Sequence, residues 1–174
     1  ALWWFDMFDG WFRSEGMMNA VSRMLEIAGK LTQRPVESTA EIAVFAEGES
    51  MYRARKTANL ASVCLQDIRR TLAECGAPYD LYSISDLSLP AADDYKLYIF
   101  VNQYDISEKT RALIEEKCKR EGKTVLWLYA PNYATDGSLR VDNISGITGI
   151  KVMSGENSHG RMVYNEEKFD YPLN

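Results

Sequence analysis

The chain has 174 residues, 46% of them hydrophobic and 26% charged, which suits one α/β domain with a real core plus a short appendage. Its formal net charge is -5 with no basic run, which argues against nucleic acid and anionic membrane as partners. No apolar segment is long enough to span a bilayer, and Asp6 and Asp9 interrupt the aromatic N-terminus, which no basic region precedes, so it is unlike a signal peptide.

In chain order, Ala1 to Phe12 (ALWWFDMFDGWF) reads as a strand with bulky residues on both faces, turned at Gly10. A helix follows from Met17, with Met17, Val21, Met24, Ala28 and Leu31 spaced three and four apart. Gln33-Arg34-Pro35-Val36 ends it and forms a linker. Glu41 to Ala46 (EIAVFA) is the first strand of a second region, and Glu47-Gly48-Glu49-Ser50 is the loop at its end. The spacing of Leu60, Cys64, Ile68 and Leu72 predicts a helix over Thr57–Cys75, stopped by Gly76. Tyr79 to Ile84 is a second strand, more polar and nearer a sheet edge, and Ser85 to Asp94 is a loop.

Tyr95 to Pro131 reads as strand, helix, strand. Leu97-Tyr98-Ile99-Phe100-Val101 has the composition of a strand buried on both faces. Ser107 is an N-cap, Glu108 favours the first turn, and Leu113, Ile114 and Cys118 form a stripe closed by Gly122. Thr124 to Tyr129 is a second buried strand, halted by Pro131. Beyond it, Asn132 to Asp142 reads as a surface loop, Asn143 to Gly149 as one helical turn, and Ile150 to Met153 as a strand. Gly155, His159 and Gly160 indicate a hairpin or irregular end. This alternation predicts an α/β fold: an open, mostly parallel, flavodoxin-like sheet with helices on both faces.

Ligands of such sheets bind beyond the carboxyl ends of the strands. At the first end, Glu47 and Glu49 would repel a phosphate but are weak candidates for a metal site; the alternative is a solvated loop. Neither Asn102-Gln103-Tyr104-Asp105 nor the chain after Met153 supplies the aspartate and lysine of a phosphoacceptor receiver. Cys64, Cys75 and Cys118 are odd in number and read as free thiols, with Cys64 and Cys118 in core packing. His159 reads as a surface residue, and Asp93-Asp94 and Glu115-Glu116 as solvated faces. No cofactor-binding pattern is evident.

The W-W-F-D-M-F-x-G-W-F string and its helix resemble the last strand and helix of the catalytic (β/α)₈ barrel in glycoside hydrolases related to β-galactosidases. The second region is similar to the class I glutamine amidotransferase-like fold. In working amidotransferases a G-x-C-x-G elbow follows the hydrophobic strand; here Trp127 and Pro131 stand at the glycines and Tyr129 at the cysteine. A phenol with a pKa near ~10 is a poor acyl nucleophile, and His159 lacks the x-Glu that would orient it. Both resemblances, in this order, match family 42 β-galactosidases, whose barrel is followed by an inactive amidotransferase-like trimerisation domain.

The resemblance implies residues 1–36 as a strand-helix barrel remnant with linker and 37–174 as the amidotransferase-like domain, cut short at its C-terminus. The start of the chain inside a strand, without Met, and its end at Asp170-Tyr171-Pro172-Leu173-Asn174 fit a fragment. It implies a non-catalytic, oligomer-supporting role, partners in the upstream barrel and further copies, and a parent acting on carbohydrate. Asp6 and Asp9, three apart on a strand, cannot form the carboxyl pair, about 5–5.5 Å apart, of a retaining glycosidase. Asp6 with Trp3 or Trp4 could instead contact sugar in the parent, the alternative being rim packing. Two other readings stand beside this one: a self-standing binding or regulatory domain using Glu47, Glu49 and Asn102, and an unusual amidotransferase or peptidase using Tyr129 or Cys118.

Overall fold

A computed structural model describes residues 14–33, 37–53, 62–135 and 137–154, and the backbone of 161–164 and 167–170. The aromatic stretch with Trp3, Trp4, Asp6 and Asp9 lies outside the described residues, as do residues 57–61 of the second predicted helix and His159. The chain divides into two compact units, 1–39 and 40–174. In the first, helix α1 (Glu15–Leu31) starts where Ser14 Oγ accepts from the Met17 N–H at 3.3 Å, with Glu15 in the first turn. Its apolar spacing is as predicted, yet none of its residues is buried, and Met24 and Leu31 are exposed.

The second unit is built on a four-stranded parallel sheet, in the order β2-β1-β3-β4: β1 (Ile42–Ala46), β2 (Tyr79–Ser83), β3 (Leu97–Phe100) and β4 (Thr124–Trp127). Helices flank it, and the fold is flavodoxin-like. Alternation along the strands sorts the core onto two faces. On one face Ala43, Phe45, Tyr98 and Phe100 meet Ile114 and Cys118, from a π-helical turn (Ile114–Cys118) that continues helix α3 (Glu108–Leu113). Ile147 of helix α4 (Val141–Thr148) joins them. On the other face Val44, Ile99 and Val101 meet Cys64 of a π-helical turn (Ser62–Asp67), with Ile68 and Leu72 of helix α2 (Ile68–Glu74).

One row of aromatic rings crosses all four strands in register. Tyr82 pairs with Phe45, Phe45 with Phe100, and Phe100 with Trp127. Their ring centroids lie 5.6, 5.3 and 4.5 Å apart, all near parallel. Each such pair contributes on the order of 0.5–1.5 kcal/mol beyond its buried area.

Several sequence expectations change. The predicted loop over Ser85–Asp94 is wound into two 3₁₀ turns (Ile84–Ser88 and Pro90–Ala92), because Leu87 and Ala92 are fully buried under the sheet. Gly122 does not close the helix, which ends at Cys118; its φ of +77° instead serves the turn into β4. Strand β4 is not buried on both faces: it ends the sheet, so Leu126 is exposed. The predicted surface loop after Pro131 is partly buried, with a short hairpin of β5 (Ala134–Thr135) and β6 (Ser138–Leu139), because Asn132 and Ala134 pack inward. Helix α4 runs two turns rather than one, capped by left-handed Gly149. Ile150–Met153 is unpaired rather than a strand. The end of the chain forms the antiparallel hairpin β7 (Arg161–Tyr164) and β8 (Glu167–Asp170). No helix among the described residues is long and apolar enough to cross a membrane.

Phe45 is central to the aromatic row and fully buried. Phe45→Ala is expected to lower stability by about 3–5 kcal/mol in urea unfolding, whereas exposed Leu139→Ala should stay within about 0.5 kcal/mol.

Candidate functional site

In the order β2-β1-β3-β4 the chain leaves β1 toward one side and reaches β3 and β4 on the other, so the topological switch point lies at the carboxyl ends of β1 and β3. Two adjoining recesses of about 400 and 470 Å³ open there, and Glu47, Glu49 and Asp105 line both. Glu49 opens a 3₁₀ turn (Glu49–Arg53) that leaves the Tyr52 ring in solvent. Glu108 completes the acidic rim, with the Thr135 hydroxyl beside it. Among the described residues no basic side chain lines either recess, and the carboxylates there would repel a phosphate. No three of these acids converge as a metal-binding set among the described residues.

Beneath the rim, the buried amides of Asn102 and Gln103 are taken up at both ends by backbone, and Asn132 Oδ1 is shared between backbone and the Thr135 hydroxyl. The Glu47 N–H donates to Asn102 Oδ1 at 2.8 Å, and Asn102 Nδ2 donates back to Glu47 O at 2.6 Å. The side chain of Asn102 thus continues the β1–β3 ladder by one rung. Gln103 Nε2 donates to Phe45 O at 2.9 Å, and Gln103 Oε1 accepts from the Asn102 N–H at 3.1 Å. Asn132 Oδ1 accepts from the Ile106 N–H at 3.2 Å, while the Asn132 N–H donates to Gln103 O at 2.8 Å. Ser50, also buried, donates to the Glu47 carboxylate and accepts from the Tyr104 N–H. Glu47 and Asn102 are therefore brought together as predicted neighbours, but by structural bonds that leave little free hydrogen-bonding capacity.

At the next strand end, Tyr129 is half-exposed and its ring meets the edge of Tyr104, with centroids 5.7 Å apart. Ala130 and Asn132 take left-handed backbone, with φ of +34° and +58°. A nucleophile elbow raises its reacting atom on a strained turn of this kind. Here the first strained residue is Ala130, which carries only a methyl group. Burial raises the Tyr104 hydroxyl well above the ordinary phenol range, with Cys64, whose sulfur accepts from it at 3.5 Å, adding to the shift. Burial likewise pushes the Cys118 thiol up to about 12, against the opposing pull of Lys123 and Lys117. Neither group is poised to attack an acyl carbon at neutral pH.

The amides of Gln103 and Asn132 were not predicted as structural keys. A polar string, Asn102 to Asp105, directly after an apolar strand and without glycine was the available signal.

No family model matches the chain, and no curated protein sequence matches it. Among solved structures, an open parallel α/β sheet of this form occurs in GH42 β-galactosidases. A catalytic mutant of Gan42B, a GH42 β-galactosidase from G. stearothermophilus, superposes with a TM-score of 0.59 at 17% identity, covering 87% of this chain and 24% of that one. Gan42B itself gives 0.56 at 18% identity with the same coverage. The chain spans about a quarter of the length of these enzymes, and the likeness is one of fold.

Asn102→Ala removes the hydrogen bonds that its side chain makes to the Glu47 N–H and carbonyl and should cost about 1–3 kcal/mol in chemical unfolding. Iodoacetamide should modify exposed Cys75 in the folded chain and spare buried Cys64 and Cys118, as read by peptide mass mapping. With its pKa raised from 9.0 to about 12, Cys118 favours the folded state fully below pH 9, and that contribution is lost as pH climbs toward 12. Cys118→Ala should therefore flatten the alkaline decline in stability.

Proposed function

We propose that the chain is a non-catalytic structural segment of a β-galactosidase-like glycoside hydrolase. Residues 1–36 would be the closing strand and helix of the catalytic (β/α)₈ barrel with its linker. Residues 37–174 would be an amidotransferase-like domain that packs on the barrel and supports contacts between copies, as a trimerisation domain does. The observation that carries this reading is the fold likeness to a GH42 β-galactosidase, which takes in 87% of this chain and only 24% of the enzyme. The strand end at Tyr129-Ala130-Pro131, where a working amidotransferase would hold its nucleophile, supports it from the chemical side.

In this reading the two catalytic carboxyl groups belong to barrel strands encoded ahead of Ala1, and Trp3, Trp4 and Asp6 sit at the barrel rim facing sugar. The rival reading, a ligand-binding domain using Glu47, Glu49 and Asn102, is weakened because Asn102 is held at both ends of its amide by Glu47 backbone.

The purified chain should give no turnover of aryl β-galactosides. The coding sequence ahead of Ala1 should supply preceding β/α units with two acidic strand ends, and its expression with this chain should restore hydrolysis. Turnover by the chain alone, or an upstream region without such units, overturns the proposal.

A further inference from the structure

Among the described residues the sheet ends at β4 with an open edge. The Thr124 and Leu128 N–H groups donate inward to Lys96 O and Phe100 O at 2.8 and 3.0 Å. By the two-residue period of a strand, the N–H groups of Val125 and Trp127 then face away from β3. No strand among the described residues pairs with them. The segment Thr124–Trp127 carries neither charge nor proline, the usual guards of a free edge.

A groove of about 580 Å³ lies along this edge. Leu126 and Tyr129 line one side, and Ile150, Val152 and Met153 line it as well, beyond Ile144 of α4. Leu126, Tyr129, Ile150 and Met153 are all exposed, so apolar surface stands open on both the strand and the segment that follows α4.

That segment has the attributes of a strand without the pairing. Ile150-Lys151-Val152-Met153 contains two β-branched residues and no glycine or proline. It leaves α4 through Gly149, whose φ of +72° turns the chain sharply. Its backbone is held by two side chains of α4: next to the hinge the Ile150 N–H donates to Thr148 Oγ1 at 3.1 Å, and further along the Val152 N–H donates to Ser145 Oγ at 2.9 Å, the same Ser145 hydroxyl reaching Val152 O at 3.4 Å. In the strand order 2-1-3-4-5, the element following the helix after β4 belongs beside β4, parallel to it.

We propose that Ile150–Met153 is a strap that closes onto the free edge of β4 as a fifth parallel strand, with Gly149 as its hinge, Thr148 holding Ile150 beside that hinge, and Ser145 as the latch that keeps the far end of the strap open. Closure gives the Val125 and Trp127 amides carbonyl partners and covers apolar surface on both sides of the groove.

Amide hydrogen exchange, followed residue by residue by NMR at two protein concentrations, tests this. Ser145→Ala removes the latch, and Lys151→Pro prevents the segment from joining a ladder. The Val125 and Trp127 amides should exchange at least tenfold more slowly in Ser145→Ala than in Lys151→Pro. The inward-facing Thr124 and Leu128 amides should keep their protection in both, which checks that each variant is folded. Equal rates at Val125 and Trp127 in the two variants overturn the proposal. Protection at these two amides that rises with protein concentration also overturns it, since a second copy would then occupy the edge.

Discussion

The row of rings from Tyr82 through Phe45 and Phe100 to Trp127 sets the register of the sheet. A slip of one residue between any two strands would move a ring to the opposite face, because side chains alternate with a period of two. The far face is lined by Val44, Ile99 and Val101 and covered by α2 through Cys64, Ile68 and Leu72, a layer with aliphatic rather than aromatic volume. The stack therefore fixes which residues follow each strand end, and with them the composition of the switch point. Lys123 adds to the same face from the edge: its Nζ donates to Tyr98 OH at 3.0 Å, and Tyr98 OH in turn donates to Asp93 O at 2.8 Å.

At the switch point this register places Asn102 opposite Glu47 and Gln103 beneath Phe45 O. An open α/β sheet usually leaves backbone N–H groups free at this position, and ligands use them. Here amide side chains occupy those groups, so the ladder is extended by side chains beyond its last strand residue. Buried amides of this kind are costly when half-satisfied and rigidifying when complete. Completing them with backbone stabilises the strand ends, and above them the carboxylates of Glu47, Glu49, Asp105 and Glu108 face the crevice among the described residues.

Much of this fold is legible in the residues. EIAVFA and LYIFV mark the two central strands because burial on both faces demands continuous apolar sequence, and Ser107 announces α3 because its hydroxyl suits the first-turn amides. The misreadings share one physical origin, which is that local composition does not report position within the sheet. Thr124–Trp127 is as apolar as a central strand, yet it is an edge. Ile150–Met153 has strand composition, yet strand pairing requires a partner at the right distance. Leu87, Ala92 and Ala134 lie in stretches rich in turn formers, and only tertiary packing reveals that these stretches are buried. At the candidate site Glu47 and Asn102 were legible as neighbours. The side chains that close the site were not, because an amide hydrogen-bonded to backbone has no distinctive spacing in sequence.

The two ends of the sheet are finished to different degrees, and the difference has a structural reason. The β2 strand carries polar sequence, and on the ring-bearing face Asp80 accepts from Tyr95 OH at 2.6 Å while Tyr82 OH meets Tyr95 OH at 2.7 Å and donates to Ala91 O at 3.1 Å, which ties the strand to the segment that leads from the 3₁₀ turns into β3. The β4 edge has no such cover among the described residues, although Trp127 on its inner face completes the aromatic row. A strand selected for its inner face alone leaves its outer amides to whatever lies beside it, and here that neighbour is the apolar segment after α4. An unfinished edge next to an unpaired apolar segment is unstable toward any strand that can reach it. A tethered neighbour has the highest effective concentration of all such candidates, so local closure competes favourably against pairing with another chain.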